Sequence, residues 1–193
     1  MWAMLLRLLH LLLPKKETLV PETPLAPLVV GEEKPRFSRG FLDPIVIKAA
    51  QDSAETWGVP ASITLAQFIL ESDWGLRHMG VYNFFGIKDL KWDPGFKNMT
   101  TKEYEHGKWI TIETPFEDFD SVEHCFEVHG RLIAKSRYYI QAMRVKMFPD
   151  AFAVALTGVY ATDPNYGTKL IQLMIKYDLY QYDRPVDQPF PVV

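Results

Sequence analysis

The chain reads as a mainly α domain carrying one small β-hairpin lobe. Apolar residues recur at helical spacing in five separate segments after residue 43. Two alternating stretches flank His106-Gly107, a pair suited to a two-residue hairpin turn in which glycine supplies positive φ. Between helices and hairpin lies an irregular connection from Gly75 to Met99, rich in glycine and aromatic residues, and long loops inside compact domains are often functional.

Taken in order, Asp43-Pro44 supplies an N-cap and first-turn pair for a helix over Ile45–Trp57, which Gly58 stops. Pro60 opens a second helix, with Gly75 as its expected stop. Thr100–Glu105 and Lys108–Glu113 are the expected strands. Asp120, with Glu123 three residues on, has capping-box spacing for a third helix, whose apolar face is Val122, Phe126, His129, Leu132 and Ile133. Asp150–Thr157 reads as a short helix. Asp163-Pro164 starts a last helix through Lys176, with Leu170, Leu173, Met174 and Tyr177 inward.

The flanks differ in character. Trp2–Leu13 is a leucine-rich run holding Arg7 and His10. It is too short for a membrane span of roughly 20 residues. An export signal and an interfacial helix contacting a membrane surface or a protein are both open for residues 1–13. Residues 14–42, with prolines at 14, 21, 24, 27 and 35, read as a semi-rigid linker. The folded domain is expected over 43–182, and 183–193 as an extended tail.

The 193 residues are 48% hydrophobic and 13% aromatic, enough for a real core. A net charge of −3 without any Lys/Arg run argues against a nucleic-acid partner. The single cysteine, Cys125, excludes an intrachain disulfide and falls in an apolar helical stripe, where a buried structural thiol is expected. His124 and His129 are five apart, off a shared helix face, so no metal site is expected; no phosphate loop, dinucleotide fingerprint or HExxH pair is present, and no cofactor is implied. What remains is carboxylate chemistry with aromatic platforms, a combination suited to sugars.

The most informative stretch is Ser62–Gly75, SITLAQFILESDWG. Thr64, Gln67 and Glu71 form its one polar stripe. Glu71 ends that stripe in the last turn, where the helix dipole disfavours a carboxylate. Apolar surroundings and a helix C-terminus both raise a carboxyl pKa, as a general acid requires. A solvated polar face on a core helix is the competing explanation for the same pattern.

Several segments in the order found here resemble the glucosaminidase domain of glycoside hydrolase family 73, known from bacterial autolysins, flagellar peptidoglycan hydrolases and phage lysins. They are PASITLAQFILESDWG (60–75), YNFFGIK (82–88), TKEYEHGKW (101–109), PFEDFDS (115–121) and YATDPNYGTKL (160–170). The resemblance implies a lysozyme-like α+β body and a peptidoglycan hydrolase cutting between N-acetylglucosamine and N-acetylmuramic acid. Glu71 falls on the family's catalytic acid, Glu103 on the acidic β-lobe residue proposed as the second carboxylate, and Tyr160 on a tyrosine near the reacting sugar. Asn83 and Phe85 match the groove-lining loop, with Gln67, Trp74 and Tyr166 expected to join them in substrate binding. Glycan strands are the implied partner, the chain is expected to be a monomer, and its place the periplasm, wall or exterior of a bacterium, or a phage. A lytic transglycosylase-type muramidase and a non-catalytic glycan-binding or virion module of the same fold are the alternatives. Asp73 stands where the family usually has Gly, and its charge is expected to raise the Glu71 pKa further. Phe84 replaces a common aliphatic residue.

Overall fold

A computed structural model describes residues 35–183, except 89, 91–95 and 106–107 and the side chains of 96, 97, 99 and 101–110. The expectations for residues 1–13 and 184–193, and for the hairpin turn itself, lie outside the described residues.

The first helix, α1 (Pro44–Trp57), is capped by Asp43, whose side chain accepts from Ile45 N–H, and ends at Gly58 in the left-handed conformation. The second, α2 (Ala61–Ser72), is the axis of the body: ten of its twelve residues are buried. A helix apolar nearly all round can only sit in the centre of a core. It packs on α1, on α5 (Pro149–Leu156), on α6 (Tyr166–Lys176) and on a terminal 3-10 turn, Leu179–Asp183. Against α1 also lies α3 (Val122–Lys135), whose Gly130 lets Ser53 come within 2.2 Å of where a side-chain carbon would stand. The hairpin is β1 (Phe96–Glu105) and β2 (Lys108–Glu117), antiparallel, with Glu105 opposite Lys108 and Glu103 opposite Ile110. The mainly α body with one β-hairpin lobe is thus the observed architecture. Among the described residues no helix is long and apolar enough to cross a membrane.

Several boundaries differ from the sequence reading. Ser121, not Asp120, caps α3, accepting from His124 N–H, while Asp120 is turned to the His124 ring at 2.9 Å. The strands extend further, to Phe96 and Glu117, because the far half of the hairpin is tied to the irregular loop: Glu117 N–H donates to the Ile87 carbonyl at 2.9 Å. A 3-10 turn, Arg137–Tyr139, and a short helix, α4 (Ile140–Arg144), fill a stretch with no strong periodicity. α6 begins two residues after Pro164, at Tyr166.

The body also reaches beyond both ends of the expected 43–182 unit. Upstream, the Phe37 ring meets Phe84 and Phe68, at centroid distances of 5.3 and 6.3 Å. Downstream, Asp183 accepts from Ser62 N–H at 2.8 Å and so satisfies an orphan donor at the start of α2, where Pro60 offers no side-chain cap. Cys125 is buried, and burial pushes its thiol pKa up.

Candidate active site

The end of α2 is built to stop abruptly, one residue past Glu71. Asp73, Trp74 and Gly75 all take positive φ, at 50°, 67° and 78°. Two of the three are not glycine, and each such residue is costly unless its surroundings hold it. Ser72 Oγ donates to the Phe68 carbonyl and accepts from Gly75 N–H at 2.8 Å. Asp73 receives a hydrogen bond from Arg39 Nε at 2.8 Å and lies 3.6 Å from Arg77 Nε. Trp74 is buried edge-on against Tyr177, with centroids 4.7 Å apart. The helix therefore ends at Ser72, and Asp73 is its C-cap, not Gly75 as the sequence pattern suggests.

The polar stripe of α2 is not a wet face. Thr64 and Gln67 are fully buried, and only Glu71 at its end reaches the boundary of the core. Gln67 Nε2 donates to Tyr166 Oη at 3.1 Å, and Tyr166 Oη donates to Glu71 Oε1 at 2.8 Å. Burial pushes the Glu71 pKa up to about 7, against the lowering effects of the Tyr166 hydrogen bond and the Lys169 charge. Asp73 does not act on Glu71 in the way its position in sequence suggests, because Arg39 and Arg77 answer its charge and hold its own pKa down.

Tyr160 lies against Tyr166 with ring centroids 5.5 Å apart and planes 17° from parallel. Both phenols are buried, and burial, with the Glu71 charge next, raises both pKa values. Behind them the fully buried His129 stacks on Phe85 at 3.9 Å, and burial lowers its pKa to about 3. A neutral imidazole there is an aromatic packing element.

Asn83 shapes the loop after α2. Its Nδ2 donates to the carbonyls of Ile87 and Glu117 at 2.8 and 2.9 Å, and its Oδ1 accepts from Ile87 N–H at 2.9 Å. The Glu117 carboxylate accepts from Leu90 N–H on the same loop. Structure thus gathers Glu71, Gln67, Tyr166 and Tyr160 into one cluster. Phe85 joins it through His129, while Trp74 braces the turn against Tyr177 and Asn83 ties the loop to itself and to Glu117. Glu103 stands two residues before the end of β1, opposite Ile110, and its side chain lies outside the described residues. Among the described residues no group of three or more His, Cys, Asp or Glu side chains is arranged to hold a metal ion.

Three contributors escaped the sequence reading: Lys169 as a charge facing Glu71, Ser72 as the clip of the turn, and Glu117 as a loop anchor. Lys169 was within reach of pattern reasoning, since it stands three residues after Tyr166 on one face of α6. Ser72 and Glu117 carry no such local signature.

Comparison with known proteins agrees with this fold. The family profile described as mannosyl-glycoprotein endo-beta-N-acetylglucosaminidase matches residues 47–179. A probable N-acetylmuramidase of Lactococcus lactis subsp. lactis is 34% identical over 157 residues, covering 76% of this chain and 35% of the relative. The exo-glucosaminidase LytG of Bacillus subtilis is 33% identical over 141 residues, covering 69% of this chain and 50% of its own length. The chain thus spans from about a third to a half of these relatives. The catalytic domain of the autolysin Auto from Listeria monocytogenes superposes with a TM-score of 0.64 at 31% identity, covering 72% of this chain and 83% of that one.

Proposed function

Because the chain belongs to the glucosaminidase family, glycoside hydrolase family 73, we propose that it is a peptidoglycan hydrolase cutting the β-1,4 bond between N-acetylglucosamine and N-acetylmuramic acid. One observation carries this reading: the Glu71 carboxyl, pushed by burial to titrate near 7, ends a buried helix where it can be protonated at neutral pH. Such a group is suited to give its proton to the departing glycosidic oxygen.

The opposite face of the sugar needs a second group. Glu103 on the hairpin lobe is the candidate to activate water; attack by the substrate's own acetamido group, with Glu103 or Tyr160 stabilising charge, is the other route to the same products. Trp74, Asn83 and Phe85 contribute through the shape of the turn and loop, being buried, and Gln67, buried on α2, through its hydrogen bond to Tyr166. The reaction takes place at the cell wall, in the periplasm or outside the cell, whether the enzyme is bacterial or delivered by a phage.

Glu71→Gln should lower hydrolysis of purified cell walls by roughly 10²–10⁴-fold, the usual worth of a general acid, with the fold intact. An active variant would sink the assignment. Glu103→Gln retaining most activity would remove only Glu103 from the mechanism.

A second reading is favoured by the relative named as a probable N-acetylmuramidase. Masses of the digested wall separate the two. Reducing N-acetylglucosamine ends support the glucosaminidase, reducing muramic ends a muramidase, and anhydro ends a lytic transglycosylase. Binding to sacculi with no release of any of these would mark a non-catalytic module.

A further inference from the structure

We propose that Gln67 and Tyr166 are positioning residues that hold Glu71 Oε1 as a fixed acceptor and so reserve Oε2 as the oxygen that delivers the proton. The role of that proton rests on the glucosaminidase reading; the hydrogen-bond assignment does not.

Gln67 and Glu71 stand i, i+4 on α2, one turn apart along its axis. Tyr166, the first residue of α6, reaches in from the neighbouring helix and sets its hydroxyl between them, 3.1 Å from Gln67 Nε2 and 2.8 Å from Glu71 Oε1. A phenol carries one proton, whereas an amide nitrogen offers only protons. With Gln67 Nε2 on the acceptor side of Oη, the phenol proton has Glu71 as its recipient. Oε1 then accepts whether the carboxyl is charged or neutral, so the carboxyl proton sits on Oε2. Tyr160, stacked 5.5 Å from Tyr166, holds the ring that carries this hydroxyl.

Among the described residues, the groups that interact electrostatically with Glu71 are Tyr166 and Lys169 from α6, and Tyr160 just before it. In the reaction the Oε2–H bond breaks as a new O–H forms on the departing glycosidic oxygen. That oxygen takes the electron pair of the bond to C1. Water supplies the hydroxyl that C1 gains and passes its other proton to the base on the opposite face, Glu103 in the proposed function. The carboxylate left on Glu71 keeps the hydrogen bond from Tyr166, and solvent exchange returns a proton to it.

The assignment depends on the direction of the Gln67 amide. In the reverse arrangement Gln67 Oε1 takes the phenol proton, and Tyr166 accepts a proton from Glu71 Oε1, which is then spent internally. The two arrangements predict opposite signs. Carbon-13 NMR of the glutamate carboxyls, with the Glu71 signal assigned by its loss in Glu71→Gln, gives its titration in the free protein. Tyr166→Phe, which retains the ring and its stack, should move that titration upward by about one pH unit through loss of a donor to the carboxylate. Gln67→Met should move it the same way by less. The alkaline limb of kcat/KM should follow the titration, with kcat reduced roughly tenfold and KM little changed.

A downward movement in Tyr166→Phe overturns the assignment in favour of the reversed amide. An unmoved titration in both variants reduces Tyr166 and Gln67 to packing and also overturns it. The titration needs no substrate, so a wall digest that yields the wrong ends, or none, would count against the proposed function alone.

Discussion

Gly75 lies so close beneath the ring of Phe37 that a side-chain carbon there would stand 2.4 Å from Phe37 Cδ1. Phe37 comes from the stretch that composition marks as linker, and Gly75 closes the turn that follows α2. Contact between them makes the upstream segment a structural part of the site.

Gly75→Ala should therefore destabilise the fold by about 2–4 kcal/mol, combining positive φ with overpacking against an aromatic ring. Urea unfolding measures this. Adding Phe37→Ala should return the clash component and leave the backbone component, which a double-mutant cycle separates. Additive losses would show that the two residues do not meet.

Glu71 should cost the fold stability when it is charged. Its pKa in the folded chain is about 7, above the ordinary value of 4.5. The stability it contributes is full below pH 4.5 and is lost as pH rises through 7. Glu71→Gln cannot ionise, so its stability advantage over the parent should grow by about 1–3 kcal/mol between pH 4 and pH 8. Denaturant midpoints at the two pH values check this, and an unchanged difference would contradict the raised pKa. Activity should fall with rising pH across the same range, as the acid loses its proton.

Asp73→Gly tests whether this chain's departure from the family pattern touches the chemistry. Asp73 faces Arg39 and Arg77, away from the hydrogen bonds of Glu71. Activity should stay within about twofold of the parent and the pH profile should not move, as for the loss of an ordinary surface ion pair. A shifted alkaline limb would mean that Asp73 does act on the acid.

Asp183→Ala should cost about 1 kcal/mol, the usual worth of a helix N-terminal acceptor, read by thermal or urea unfolding. Asp183→Asn, which still offers an oxygen to Ser62 N–H, should recover most of it. Equal losses in both variants would point to the charge and not the cap.

Local chemistry made α1 legible, because Asp43-Pro44 and Gly58 are start and stop signals that act over a few residues. α2 was legible as a buried helix, and Glu71 as its anomaly, since an acid at an apolar helix end violates local rules visibly. Its C-terminus was misread because Gly75 looks like the stop, whereas Ser72, Arg39 and Tyr177 together support left-handed conformations at Asp73 and Trp74. Asp120 and Ser121 compete for the same cap, and nothing local separates them. Tyr166 reads from the sequence as groove wall or as core, and only the structure brings its hydroxyl to Glu71, a partner 95 residues away in sequence.

The sequence by itself determined the mainly α class, the hairpin, the central helix and the residue at its end, because periodicity and caps are short-range. It also carried the family, through motifs kept in order. Only the tertiary structure decided that the polar stripe of α2 is buried, that Tyr166 donates to Glu71 and that Asp73 is neutralised elsewhere. It alone brought residues 37 and 183 into the body. The physical reason is common to all of these: burial, hydrogen-bond direction and ion pairing depend on groups that meet only when helices distant in sequence pack together.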